Sequence, residues 1–187
     1  MQTLQGVRFF PILRVHGTLL GLDARWLGVR GLGMLALLTL LSPAQADAST
    51  GGAEPPLGQL MLGLSMLAGI VFTSLGHELG HAVAGRLAGL QVRAVVLAPE
   101  GGVTIRSSSD RPHVNLRTAL AGPLANGLLA SSFALLGVCV APGSFAAMYL
   151  AQMGMLQLFT GLANLLPLGP MDGSKIVQAW RACQAAR

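Results

Sequence analysis

The sequence predicts a mainly α-helical membrane protein. About four transmembrane helices are expected, with short strands ahead of the first and a membrane-re-entrant β-hairpin between the second and third. Three observations carry this. The chain is 52% hydrophobic and only 10% charged, with a mean hydropathy of +0.63, whereas soluble domains carry roughly a quarter charged residues. Long stretches hold no charge, from Gly31 to Ala46 and from Leu57 up to His77. All 12 Lys and Arg fall in the N-terminal segment, between Arg86 and Arg117, or after Asp172. Loops near 47–56 and 141–144 have none, so four spans with both termini cytoplasmic satisfy the positive-inside rule throughout. The net charge of +5 is thereby accounted for, and no basic cluster interleaved with aromatics points to nucleic acid.

Taken in order, Gly6 to Leu22 holds β-prone residues around Pro11, with Arg8, Arg14 and His16 interspersed, and reads as short strands or an interfacial segment. Residues 1–30 form this N-terminal cytoplasmic part. Gly31 to Ala46 is the first transmembrane candidate, extended past Arg30, whose side chain can snorkel to the headgroups. The same stretch also reads as a signal peptide, because Ala44-Gln45-Ala46 before Asp47 resembles a cleavage site. Asp47 to Pro56 is a polar loop. The second span runs from Leu57 towards Arg86, and Gln91 to Arg106 breaks the helical pattern with a Gly-turn hairpin through Pro99-Glu100-Gly101-Gly102. An open sheet edge does not survive against lipid, so the hairpin is expected to line a protein or water-filled cavity. The third span covers about Leu116 to Ala141 and carries Gly122-Pro123-Leu124-Ala125-Asn126. The fourth, Phe145 to Leu166, ends in a segment from Asn164 to Gly173 whose two prolines and two glycines unwind it and turn Asp172 inward. Residues 31–173 thus form the core, and 174–187 a short, moderately amphipathic cytoplasmic tail. Cys139 and Cys183 have no metal-type spacing and fall near opposite faces, so both are free thiols.

The chemistry gathers in the second span, where His77-Glu78-Leu79-Gly80-His81 places two imidazoles four residues apart on one helix face. A cation held between them lowers the pKa of water, and Glu78 lies at the rim as the carboxylate able to take the proton. Counting rises along the helix, His77 is roughly 13 Å in from Arg86. Ionisable residues at such depth are costly and usually serve function. Gly76 and Gly80 form a small-xxx-small pair that lets another helix approach, and a homo-oligomer is compatible with it.

Read together, the motif at 77–81, the Gly-Pro-x-x-Asn at 122–126 and the Asn-x-x-Pro-x-x-Pro-x-Asp-Gly at 164–173 resemble, in order and spacing, the site-2 protease family of intramembrane zinc metalloproteases. The resemblance covers roughly Leu57 to Gly173. It implies one Zn2+ per chain held by His77, His81 and Asp172, with Glu78 as general base and acid. It also implies that Asn126 and Asn164 are polar groups lining the site, and that Gly101-Gly102 lies in a β element that takes up a substrate strand. Asn164 is then a donor to a developing oxyanion or a cap of the broken helix, and Asn126 contacts substrate, braces the third and fourth helices or orients a ligand. The sequence has no room for an inserted PDZ domain, nor for a nucleotide-sensing domain after Gly173.

The expected activity is endopeptidase cleavage in or near transmembrane segments of membrane-protein substrates, single-span helices among them, as in regulated intramembrane proteolysis. The expected setting is the lipid bilayer of a prokaryotic plasma membrane. A cation transporter or metal sensor is the rival reading, but a transporter repeats acidic or His positions along several spans. A catalytically dead scaffold that binds transmembrane segments is the third, and the intact Glu78 argues against it.

Overall fold

The computed structural model describes residues 1–26, 56–98 and 101–186. The span expected over Gly31–Ala46, its signal-peptide alternative and the hairpin tip Pro99-Glu100 lie outside the described residues. Three strands, β1 (Gln2–Leu4), β2 (Val7–Val15) and β3 (Thr18–Leu22), precede a single helical turn, α1 (Ala24–Trp26). Helix α2 (Pro56–Leu87) follows, then strands β4 (Val92–Ala98) and β5 (Gly101–Arg106) and helices α3 (Pro112–Gly137), α4 (Phe145–Asn164) and α5 (Asp172–Ala185).

The sheet is larger than its two parts suggest in sequence. Its order is β1-β2-β3-β4-β5, because β3 pairs in parallel with β4, Leu19 opposite Ala94 through Leu22 opposite Leu97. The hairpin is therefore no free-standing pair, and β5 alone supplies its outer edge. Strand β4 is apolar at almost every position, as a strand covered on both faces must be. A bulge between Val92 and Ala94 sets which side chain goes where. It turns Val92 and Val95 together towards Ala82 of α2, while Ala94 and Val96 pack with Phe9 and Ile105 on the opposite face. The Phe9 ring lies over Gly21, where a Cβ would come 2.9 Å from ring carbon Cε2.

Helix α2 stops at a glycine. Gly89 adopts φ +81°, its N–H returns to Arg86 O and the next N–H, of Leu90, to Gly85 O, each at 2.9 Å. Arg86 in the last turn donates to Thr18 Oγ1 at 2.6 Å and to the His16 carbonyl, tying the helix end to the β2–β3 turn. The remaining helices pack on α2 and on one another through small residues. A Cβ on Gly80 would meet Ala121 O at 2.5 Å and Ala125 Cβ at 2.8 Å, and one on Gly76 would meet Leu129, so the Gly76/Gly80 pair serves a contact within this chain.

Helices α3 and α4 are long and apolar enough to cross a membrane, and only 22% and 17% of their most apolar windows are buried. Leu124, Leu128, Leu135, Phe145, Met155 and Phe159 point outward, the opposite of a soluble core helix. Pro112 opens α3 at its first turn and Ser144 caps α4 by accepting from Ala147 N–H at 3.2 Å. The polar loop expected through His113 is shorter than read, since α3 already starts at Pro112. The tail expected from Ser174 is a helix that begins at Asp172 and packs against α3.

Candidate metal centre

His77 and His81 lie one turn apart on the face of α2 that meets α3 and the start of α5. The unwound segment after α4 delivers Asp172 into the same space, where it is buried. Asp172 Oδ2 is 2.8 Å from His77 Nε2 and 2.9 Å from His81 Nε2, and the two imidazole nitrogens are 3.2 Å apart. Donors on a tetrahedral zinc with bonds of about 2.0–2.1 Å stand roughly 3.3 Å apart, so this triangle is slightly tighter than three corners of such a site.

The hydrogen-bond pattern suits a cation. His81 Nδ1 lies 2.7 Å from the Thr118 carbonyl, which can only accept, so Nδ1 carries a hydrogen and the neutral ring turns its Nε2 lone pair towards Asp172 Oδ2. Positive charge between the two, a proton on Nε2 or a metal ion, holds them at 2.9 Å. Lys175 Nζ donates to the other oxygen, Oδ1, at 2.8 Å, leaving Oδ2 for the imidazoles. Gly122 makes the approach possible: a Cβ there would stand 2.7 Å from His77 Nε2 and closer still to His81 Nε2. The donor set therefore fits one divalent cation with a corner left over.

Glu78 points to the hairpin side. Its Oε2 accepts from Thr104 Oγ1 at 2.7 Å, and the same hydroxyl lies 3.0 Å from the Glu78 carbonyl oxygen. Gly102 lets β5 pass over the carboxylate, for a Cβ there would be 2.6 Å from Glu78 Cδ. His77, Glu78 and His81 each offer a ligand atom within 4.8 Å of the others. A cavity of about 1050 Å³ reaches this group, lined by Glu78, His81, Gly102, Thr104, Asp172 and Lys175, with Pro170 and the polar loop 107–110 at its rim. The cavity thus passes the broken segment after α4 at Pro170 and is wide enough to admit water.

With this geometry, a model of the Peptidase M50B-like family matches residues 62–167, more than half of the chain. The chain belongs to the Peptidase M50B-like family. It is 31% identical to Rip3 of Mycobacterium tuberculosis over 177 residues, 91% of this chain and 44% of that protein. It is 29% identical to the zinc metalloprotease MJ0392 of Methanocaldococcus jannaschii over 103 residues, 55% of this chain and 30% of that one. The chain thus spans less than half the length of these relatives. Its fold is similar to that of the site-2 protease from Methanocaldococcus jannaschii, with a TM-score of 0.68 at 19% identity, covering 94% of this chain and 72% of the other.

Two of the expected site residues in this M50B-like chain stand elsewhere. Asn126 does not line the cavity: it is fully buried, behind Gly122 as seen from the imidazoles and against Gly161. Asn164 donates from Nδ2 to the Thr160 carbonyl at 2.9 Å, so its amide bonds back along its own helix. Gly101, at φ +134°, opens β5 in a conformation that side chains resist. Thr104, Thr118 and Lys175 escape a reading by motif, and Gly122 stands in the Gly-Pro-x-x-Asn motif with no role assigned to it there. Thr118 acts through its backbone carbonyl, which no side-chain pattern reveals, whereas Lys175, three residues after Asp172 on one helix face, could have been found by spacing.

Proposed function

We propose that this chain is an intramembrane zinc endopeptidase that hydrolyses peptide bonds in or near transmembrane segments of other membrane proteins. The observation that carries the reading is the convergence of His77, His81 and Asp172 at 2.8–3.2 Å, with Glu78 beside them under a strand edge. His77, His81 and Asp172 would hold one zinc ion. When bound, zinc polarises a peptide carbonyl and lowers the pKa of water to about 7.

Glu78 takes the proton of the attacking water and returns it to the leaving nitrogen, and Thr104 holds its Oε2 in place until substrate arrives. Lys175 holds the Asp172 carboxylate by its Oδ1, leaving Oδ2 turned to the imidazoles. A transmembrane helix hides its carbonyls in its own hydrogen bonds, so the substrate has to unwind before it is cut. Among the described residues strand β5 has a partner on one side only, β4, and its other edge, next to Glu78, offers the unwound segment backbone hydrogen bonds. The hairpin enters the membrane profile beside α2. The four-span topology expected from the sequence, in a prokaryotic plasma membrane, puts both termini in the cytoplasm and the centre towards the cytoplasmic side.

The test is direct. The full chain and its Glu78→Gln variant are purified in detergent, loaded with zinc and incubated with a single-span helical substrate. The wild type is expected to cleave, the variant to keep its metal and fold while cleavage falls by at least about 10²-fold, and chelation to silence the wild type. Equal cleavage by both proteins overturns the role of Glu78.

A further inference from the structure

Behind the metal centre lies a second polar group that the reaction does not use. Thr73 is 2% exposed, Asn126 and Gln157 are 0% exposed. Thr73 Oγ1, both amide atoms of Asn126, both of Gln157 and His77 Nδ1 have no hydrogen-bonding partner among the described residues. Close approaches between the helices place these residues on two successive turns of the bundle. Gly76 faces Leu129 and Gly80 faces Ala121 and Ala125, so α2 and α3 are antiparallel; Gly154 faces Phe133 and Gly161 faces Asn126 and Pro123, so α3 and α4 are antiparallel too. Helices α2 and α4 then run the same way, and Gly69 of one meets Met153 of the other. One turn beyond that contact come Thr73 and Gln157, and one turn beyond Thr73 comes His77. Asn126 stands one turn from Gly122, which touches both imidazoles.

The two histidines are supported unequally. His81 passes its Nδ1 hydrogen to the Thr118 carbonyl, which fixes the tautomer that leaves Nε2 free to bind a cation. His77 needs the same tautomer, yet no backbone carbonyl serves its Nδ1. Buried amides and hydroxyls are retained in an apolar bundle only where something satisfies them, and a water requires two to four such partners. Resting on the metal-centre reading above, we propose that Thr73, Asn126 and Gln157 enclose an internal water site that accepts the His77 Nδ1 hydrogen, making Gln157 a positioning residue for His77. The chamber does for His77 what the Thr118 carbonyl does for His81, from the side of α2 facing α4. It supplies a fixed imidazole orientation and no part of the reacting atoms.

The test compares wild type with Gln157→Leu and Thr73→Val, the second an isosteric change that keeps the packing. Zinc affinity is measured by competition with a chromogenic chelator, and the ring nitrogens of His77 and His81 are followed by NMR in zinc-free protein labelled at histidine with nitrogen-15. Both variants are expected to bind zinc about 10- to 100-fold more weakly. The His77 shifts should move towards a tautomer mixture while those of His81 stay put, and thermal unfolding of the zinc-free proteins should be unchanged or higher. If Gln157→Leu does not fold, Thr73→Val alone carries the comparison. Unchanged zinc affinity and unchanged His77 shifts overturn the chamber and leave the metal-centre reading standing. A wild type whose zinc binding is indifferent to His81→Ala overturns both.

Discussion

Gly122 is the position at which fold and metal centre can be separated by one methyl group. A Cβ added there would lie 2.7 Å from His77 Nε2, about 0.7 Å inside the 3.4 Å at which ordinary contact begins, and would press harder on His81 Nε2. Neither ring can give way easily, since His81 is fastened to Thr118 and both nitrogens meet Asp172. Within α3 the change itself is favourable by about 0.5–1 kcal/mol, as Ala replaces Gly in a helix interior, against overpacking of about 1–3 kcal/mol. The net cost in stability is therefore between about zero and about 2.5 kcal/mol. Metal distances tolerate only about 0.2 Å, so a displacement several times larger should weaken zinc binding by at least about 100-fold, or roughly 2.7 kcal/mol. Chelator competition gives the affinity, and thermal unfolding of zinc-free protein in detergent gives the stability. A Gly122→Ala protein that binds zinc within about twofold of wild type would show that the imidazoles do not converge under this glycine.

Three further outcomes are expected. Thr104→Val removes the hydrogen bond to Glu78 Oε2 while keeping the β-branched shape; turnover of a single-span substrate should fall about 10-fold with zinc content unchanged, and a loss of zinc instead would place Thr104 in the metal site. Asp172→Ala leaves two imidazoles without their carboxylate, and bound zinc per chain, measured by atomic absorption, should drop well below one; full occupancy removes Asp172 from the ligand set. The Arg25 side chain, which donates to Asp23, holds the Asp23 carboxyl below its usual range. A depressed folded value stabilises above the unfolded carboxylate pKa of about 4 and the gain disappears as pH falls through the lower folded value. Thermal unfolding between pH 6 and pH 3 should accordingly show a smaller acid-side decline in Asp23→Asn than in wild type; parallel declines refute the coupling.

What could be read in the sequence and what could not divides along the range of the interactions. Helical periodicity alone puts His77 and His81 on one face, because residues four apart on a helix are neighbours whatever surrounds them. The apolar runs give α3 and α4 within a few residues, and the Gly-turn signal gives the β4–β5 hairpin. The join between β3 and β4 is of another kind. Leu19 and Ala94 are far apart in the chain, and an alternating apolar pattern says which face is buried without saying which strand lies alongside.

The sequence by itself therefore determined the lipid-compatible helices, the local pair of imidazoles with its adjacent carboxylate, and the broken segment before Asp172. Only the tertiary structure decided that Asp172 comes within 2.9 Å of both imidazoles, that Thr104 and Gly102 fix the Glu78 carboxylate from the neighbouring strand, and that Asn126 is buried against Gly161. Backbone hydrogen bonding and side-chain spacing act over one or two turns and are written locally. The partner across a helix interface depends on where a small residue such as Gly122 or Gly161 permits close approach, and that is settled only when all the helices pack at once.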